Sequence, residues 1–287
     1  MPVISYSATD NNQRLDLYLS EHYRELSRSY LANQINQQHI KVNSNPVKPS
    51  YILKYSDQIE INDQVVINND PPEIEMPIIY EDNFCLVIDK PSGIITHAKG
   101  SFVNEASVAT FISNKIDTEL EGNRAGIVHR LDRGTSGVMI TAKTLHAQQY
   151  LQRQFAKHQA IKTYYAVVSG KMSLERANIN YPIERNPKQP SRFRVGVKGK
   201  SAVTNYQVVN SNIKYSLLEL RPTTGRTHQL RVHLAAIKHP IVGDTFYKGE
   251  LASRLMLHAS SLSVILPNQG RVTFTSTLPI EFNDYFN

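Results

Sequence analysis

The sequence predicts an α+β chain of two domains, a small one of helices and short strands and a larger one built on a sheet. Three observations lead there. At 287 residues the chain is too long for one minimal domain. The stretch NNDPPEIEMP carries Pro71, Pro72 and Pro77, which favour an extended, helix-free connection. Across that connection the charge changes sign: up to Asp70 there are 6 basic and 8 acidic residues, and beyond it 26 and 17, a net of −2 against +9. The expected boundaries are 12–70 for the first domain, 71–77 for the linker and 78–287 for the second.

In the first domain Leu15, Tyr18, Leu19 and His22 recur at i, i+3, i+4, i+7, the spacing of a short amphipathic helix starting near Asn12. Ser27 is the expected cap of a second helix through SYLANQINQQ, with Leu31 and Ile35 on one face. HIKVN and DQIEIN then alternate as two strands around the turn-rich SNPVKPS. Arg24 to Lys54 holds five bases and one acid, Glu25, so positive charge gathers on the second helix and the strand after it. Arg28 and Lys41 are the expected contacts there with a polyanion.

In the second domain Phe84 to Ile88 reads as a buried apolar strand ending in a Pro-Ser-Gly turn. GIVHRLDRGTSGVMITAKT, from Gly126 to Thr144, then sets short apolar ends around a polar centre holding His129, Arg130, Asp132, Arg133, Thr135 and Ser136. A loop this polar between strands brings several functional groups to one point. A phosphate-binding loop would need Lys and Ser or Thr after its last glycine, where Val138 stands, and a nucleophile elbow would need glycine two places after Ser136.

The order of the first domain, RLDLYLSEH through DQIEI, resembles the small S-four-like RNA-binding domain. It departs from that pattern where glycine is usual in the turns, at His39, around Ser44 and Asn45, and at Ser56. HRLD-x-x-TSG, His129 to Gly137, resembles the signature loop of RNA pseudouridine synthases of the RluA type. The likeness extends through KTYYAVVSG, GKSAVTNYQV and RPTTGRTHQLRVHLAAIKHPIVGDTFY. It implies a catalytic domain with a mixed, mostly antiparallel central sheet.

Such an enzyme breaks the glycosidic carbon–nitrogen bond of uridine, turns the uracil and rejoins it through carbon 5. The resemblance makes Asp132 the catalytic aspartate, attacking or stabilising the anomeric carbon or deprotonating the sugar. A buried carboxylate stays ionised only beside a fixed cation, and the Gly-Arg-x-His-Gln-Leu-Arg motif points to Arg226, with phosphate contact as the role of Arg231. Tyr164 matches the tyrosine that stacks on the flipped uracil and assists removal of the carbon 5 proton. Tyr165 would alternate to the opposite strand face. Leu230 would form an apolar wall against the base, and His129, Arg130 and Arg133 would position RNA or brace the loop.

Arg185 to Lys200 contains six bases and no acid. Arg192 and Arg194 are the expected phosphate contacts of this loop, with Phe193 able to stack. His228 and His233 are five apart without the acid of a zinc helix, so no zinc site is expected, and the resemblance implies that neither metal nor cofactor is needed.

The net charge of +7 favours a polyanionic partner, more readily nucleic acid than lipid, and the resemblance, whose S-four-like domain is characteristic of family members acting on large-subunit rRNA, implies rRNA first and tRNA second. With 40% hydrophobic and 20% charged residues, wholesale disorder is excluded. MPVISYSATDNNQ has no positive n-region and no apolar stretch, so neither signal peptide nor membrane anchor is expected. A lone Cys85 suits a reducing cytoplasm, and a monomer is expected. Two alternatives differ in class: a catalytically silent ribosome-binding or assembly protein, and a uracil-releasing glycosidase, which would lack a second motif carboxylate.

Overall fold

The computed structural model describes residues 3–5, 13–23, 26, 28–62, 74–97, 105–122 and 124–287. It divides into two compact units, Met1–Ile74 with His97–Thr110, and Glu75–Thr96 with Phe111–Asn287. The division at Ile74 falls within the Pro-rich 71–77. His97–Thr110, within the expected bounds of the second domain, groups with the first.

The first unit sets two helices, α1 (Leu15–His22) and α2 (Arg28–Asn36), with an antiparallel sheet of β1 (Val3–Ser5), β2 (Ile40–Val42) and β3 (Gln58–Ile61) in the order β1-β3-β2. Leu15 and Leu19 on α1, Leu31 and Ile35 on α2, and Ile40 and Ile59 on the strands are buried together. These are the i, i+4 and alternating positions of the sequence. The expected cap Ser27 lies outside the described residues, as does Arg24.

Asp16 is buried on α1 and accepts from Arg14 Nε at 3.0 Å and Arg28 Nε at 3.0 Å. Burial works to raise its carboxyl, but the bonds from Arg14 and Arg28 outweigh that and hold it below the usual range. Arg28, expected to meet RNA, therefore has its guanidinium engaged within the fold, while Lys41 sits on the face of β2 opposite Ile40 and Val42.

The turns form without glycine. Gln38, Asn43, Ser44 and Ser56 adopt φ of 62°, 50°, 61° and 66°. Asn43 offsets the strain by donating to Asp57 at 2.8 Å and accepting from the Gln58 N–H at 2.8 Å.

A short helix, α3 (Val108–Ile112), precedes the signature loop. The second unit is built on a nine-stranded sheet: β4 (Ile78–Glu81), β5 (Cys85–Lys90), β6 (Ser136–Ala142), β7 (Ile161–Ser169), β8 (Arg176–Asn180), β11 (Val203–Ser211), β12 (Tyr215–Pro222), β13 (Leu257–Leu266) and β14 (Gly270–Thr275). Its order is β4-β5-β6-β13-β7-β12-β11-β8, with β14 paired to β13. A separate hairpin joins β9 (Ile183–Arg185) to β10 (Phe193–Val195). The sheet is mixed and mostly antiparallel, as the sequence led one to expect; the β6–β13 pair is parallel.

Every residue of β6 is buried, which explains why Val138–Ile140 reads as an unbroken apolar run. Helix α4 (Leu145–Ala156), capped by Thr144 accepting from the Ala147 N–H at 3.1 Å, packs on β6 and β13. Its Leu151 joins Val87, Ile140 and Val264 in one core cluster. Val167, Leu218, Leu220 and Met256 form a second with Leu234 of α5 (Gln229–Ala236).

Gly137 has a φ of +111°, and a Cβ there would run into the Ala259 carbonyl. Only glycine lets β6 approach β13 this closely. Among the described residues no helix is long and apolar enough to cross a membrane.

Candidate active site

The signature loop is anchored before it presents anything. Lys90, at the end of β5, is fully buried and donates from Nζ to the Pro91 and Ile94 carbonyls at 2.8 Å each, and to that of Arg133 at 3.4 Å. Burial lowers its ammonium to about 7, with Asp132 opposing the shift. Buried Thr96 donates to the Leu131 carbonyl at 2.8 Å and accepts from its N–H at 3.2 Å. The Thr135 N–H closes the turn onto the Asp132 carbonyl at 3.1 Å.

His129 stacks on Phe155 at 4.5 Å and accepts from the Ile140 N–H at 3.1 Å through Nε2. Burial, helped by the charge of Lys162, pushes its imidazole down to about 3. The ring is thus a neutral brace whose accepting nitrogen is fixed.

Held this way, Asp132 opens into a cleft of about 570 Å³ that is also lined by His129, Arg130, Tyr164, Arg226, Leu230 and Arg231. Seven of the residues singled out in the sequence therefore meet in one place. Arg133 does not line this cleft, and its carbonyl belongs to the loop anchor.

The expected cation is corrected. Arg231 Nη1 donates to Asp132 Oδ2 at 3.1 Å, whereas Arg226 turns its Nε to the Ser201 carbonyl at 3.0 Å. Gln229 explains the difference. Its Oε1 accepts from Thr224 Oγ1 at 2.7 Å and from the Arg226 N–H at 3.0 Å, and its Nε2 donates to the Val203 carbonyl at 2.9 Å. The loop before α5 is pinned to β11, and the first turn of α5 delivers Arg231 to the aspartate.

The rest of the Arg231 fork is engaged by Asp244, with Nε to Oδ2 at 2.7 Å and Nη2 to Oδ1 at 2.8 Å. The Asp244 side chain is 1% exposed. Burial works to lower the Arg231 guanidinium, but its bonds to Asp244, the charge of Asp244 and then that of Asp132 raise it above the ordinary range. The planar fork also lies over Tyr247 and Phe246, at 5.1 and 5.6 Å from their ring centres.

His228 is the second neighbour of the carboxylate, its Nε2 3.8 Å from Asp132 Oδ2. It holds a left-handed φ of 56° at the start of α5, and its Nδ1 is 2.8 Å from the Tyr247 hydroxyl. That hydroxyl accepts from the Phe193 N–H at 3.0 Å, so its own proton is free for Nδ1, which leaves the Nε2 proton facing Asp132. Burial keeps the His228 imidazole below its ordinary range despite the aspartate.

Tyr164 reaches the cleft from β7, and Tyr165 points to the other face, where its hydroxyl donates to Glu219 at 3.3 Å. Burial, and then the charge of Asp132, push the Tyr164 phenol above its ordinary range.

The basic hairpin packs on α5. Phe193 meets His228 edge-on at 5.7 Å, so the ring expected to stack on a base is committed to the wall of the site. Arg192 lies 5.3 Å over Phe246, and Arg194 pairs with Glu184 at 2.7 Å. Among the described residues no three His, Cys, Asp or Glu side chains converge as a metal site.

Residues 84–236 match the RNA pseudouridylate synthase family, and residues 13–59 match the S4 domain. The chain belongs to the RNA pseudouridylate synthase family. It is 37% identical over 247 residues to the uncharacterized RNA pseudouridine synthase YhcT of Bacillus subtilis, covering 84% of this chain and 82% of that one. It is 34% identical over 296 residues to the ribosomal large subunit pseudouridine synthase D of Borreliella burgdorferi, covering 96% and 90%. The solved structure of human RNA pseudouridylate synthase domain containing 4 superposes with a TM-score of 0.57 at 26% identity, over 72% of this chain and 90% of that one.

As a pseudouridine synthase the protein is an isomerase with an RNA partner. The residues that sequence reasoning missed are Asp244, Lys90, Lys162, His228 and Tyr247. Asp244 and Tyr247 stand in HPIVGDTFY, a stretch already singled out, and Lys90 stands between the Phe84–Ile88 strand and the Pro-Ser-Gly turn.

Proposed function

We propose that this pseudouridine synthase modifies specific uridines of large-subunit rRNA, with Asp132 as its catalytic carboxylate. The observation that carries the reading is the chain of charge from Asp132, which lines the cleft, through Arg231 to Asp244 buried behind it. A carboxylate bonded to a locked guanidinium suits a reaction in which positive charge develops at the ribose anomeric carbon.

The glycosidic bond breaks with its electron pair leaving on uracil, and Asp132 meets the charge at carbon 1′. The detached base turns between Tyr164 and Leu230, and carbon 5 bonds to carbon 1′. Carbon 5 then loses its proton and the ring nitrogen gains one. Tyr164, whose proton is tightly held, acts here as a stacking ring and hydrogen-bond donor. Hydrolysing glycosidases use two carboxylates; Asp244 cannot serve as the second, because both its oxygens are taken by Arg231.

The substrate assignment is supported by relatives named as ribosomal large subunit pseudouridine synthases and by the S4 match. Incubating the purified protein with unmodified transcripts of large-subunit rRNA and of tRNA tests it. Pseudouridine, mapped by carbodiimide adducts, is expected at a few rRNA positions, without release of free uracil. Conversion confined to tRNA would overturn the rRNA assignment.

For the hairpin, replacing Arg192 with Ala should weaken RNA binding and flatten the plot of log affinity against log salt by about 0.7–0.9 for each phosphate that the protein no longer neutralises. Arg194→Ala should change it less, since Glu184 already compensates that charge. Fluorescence anisotropy across a salt series reads both; an unchanged slope in the Arg192 variant would refute the phosphate contact.

A further inference from the structure

The cleft holds a cation beyond the one that Asp132 uses. Lys162 lies two residues before Tyr164 on β7, so the two side chains share a strand face, and both line the cleft. Its Nζ donates to the Thr224 carbonyl at 3.3 Å, a long bond, and among the described residues it forms no ion pair. Burial pushes its ammonium below the ordinary range, with no carboxylate to raise it. Arg231 and Arg194 each have an acid, and Lys90 has three carbonyls.

A desolvated ammonium with one weak acceptor is under-compensated, and it gains most when a negative charge arrives beside it. Two anions enter this reaction. The RNA phosphates run at the surface, where exposed arginines such as Arg130 are available to meet them. Lys162 instead lies inside, close enough to His129 for its charge to help depress that buried imidazole. The second anion is the base itself. When the bond from carbon 1′ to the ring nitrogen breaks, its electron pair stays on uracil and spreads onto the carbonyl oxygens.

The geometry points to Lys162 as a catalytic residue that takes the charge of the detached uracil, donating from Nζ to a carbonyl oxygen while the base turns. This rests on the reading of Asp132 as the carboxylate facing carbon 1′. The ammonium keeps its proton throughout. The ring's electrons form the new carbon–carbon bond, the carbon 5 proton leaves and one reaches the nitrogen, so the product is an isomer of the substrate.

The test compares wild type, Lys162→Met and Lys162→Arg in single turnovers on an rRNA fragment whose target is uridine or 5-fluorouridine, following loss of that nucleotide. Fluorine stabilises the departing anion, so a residue that stabilises it matters less. Lys162→Met, with its fold checked by circular dichroism, should be about 100-fold slower on uridine at unchanged RNA affinity. On 5-fluorouridine its deficit should shrink to about tenfold. Lys162→Arg, which restores the charge, should recover most of the rate. A Lys162→Met rate within about threefold of wild type, or an equal deficit on the two nucleotides, would overturn the inference alone. An inactive wild-type protein would overturn the parent reading and the inference with it.

Discussion

Replacing Asp132 with Asn should abolish turnover, lowering kcat by at least about 10⁴-fold, while RNA affinity stays within a few-fold of wild type. The substitution keeps the shape of the side chain and leaves an amide oxygen that can still accept from Arg231. It removes only the negative charge that the proposed mechanism sets against the anomeric carbon. Arg231 retains its fork to Asp244, so the wall of the cleft should stay in place. Binding by filter retention and single-turnover formation of pseudouridine separate the two quantities. Residual activity above about 1% of wild type would remove Asp132 from the chemistry, since knocking out a reacting group costs far more.

The second large effect is expected at Arg231. Exchanging it for Met strips the cation from two carboxylates at once, Asp132 in the cleft and Asp244 in the wall. The damage should appear in two measurements. Stability should fall by about 3–5 kcal/mol, because Asp244 is left as an unpaired buried charge. Turnover should fall by about 10³-fold, as expected when a preorganised charge partner is removed. Adding Asp244→Asn removes the stranded charge, so the double variant should regain much of the melting temperature and little of the activity. Arg226→Met should cost far less in both, since that guanidinium is tied to a backbone carbonyl away from the carboxylate. If Arg226→Met were the more damaging change, the reading of the pair would be wrong.

The contrast between these arginines shows what a sequence carries. His129 to Gly137 reads as one site because the residues are contiguous and their spacing is itself the signal. Arg226 and Arg231 stand five apart in one motif, and nothing in that spacing says which faces Asp132. The answer lies in Gln229, whose side chain ties the Thr224–Arg226 loop to β11 and fixes the phase at which α5 begins. The Asp132–Arg231 contact spans 99 positions, too far for any local pattern.

Lys90 was hidden for another reason. A lysine ending an apolar strand reads as a strand exit into solvent, and only the folded loop reveals three carbonyls around its ammonium. The first unit was legible through periodicity, its buried leucines and isoleucines falling where the i, i+4 spacing put them. Its turns were legible in part, because Asn and Ser tolerate left-handed backbone and Asn43 can bond its own neighbours.

The place of β13 in the sheet has a consequence for how the enzyme comes into being. Asp132 precedes β6 on one side of that strand, while Tyr164 on β7 and Arg231 on α5 belong to the other. Starting at Leu257, β13 lies after Asp132, Tyr164 and Arg231 in the chain. Until it is inserted, the two halves of the sheet have no shared strand, and the aspartate and its arginine have no common frame. A nascent chain that stops short of β13 is therefore expected to be inactive by topology alone, even with all three of those residues already made.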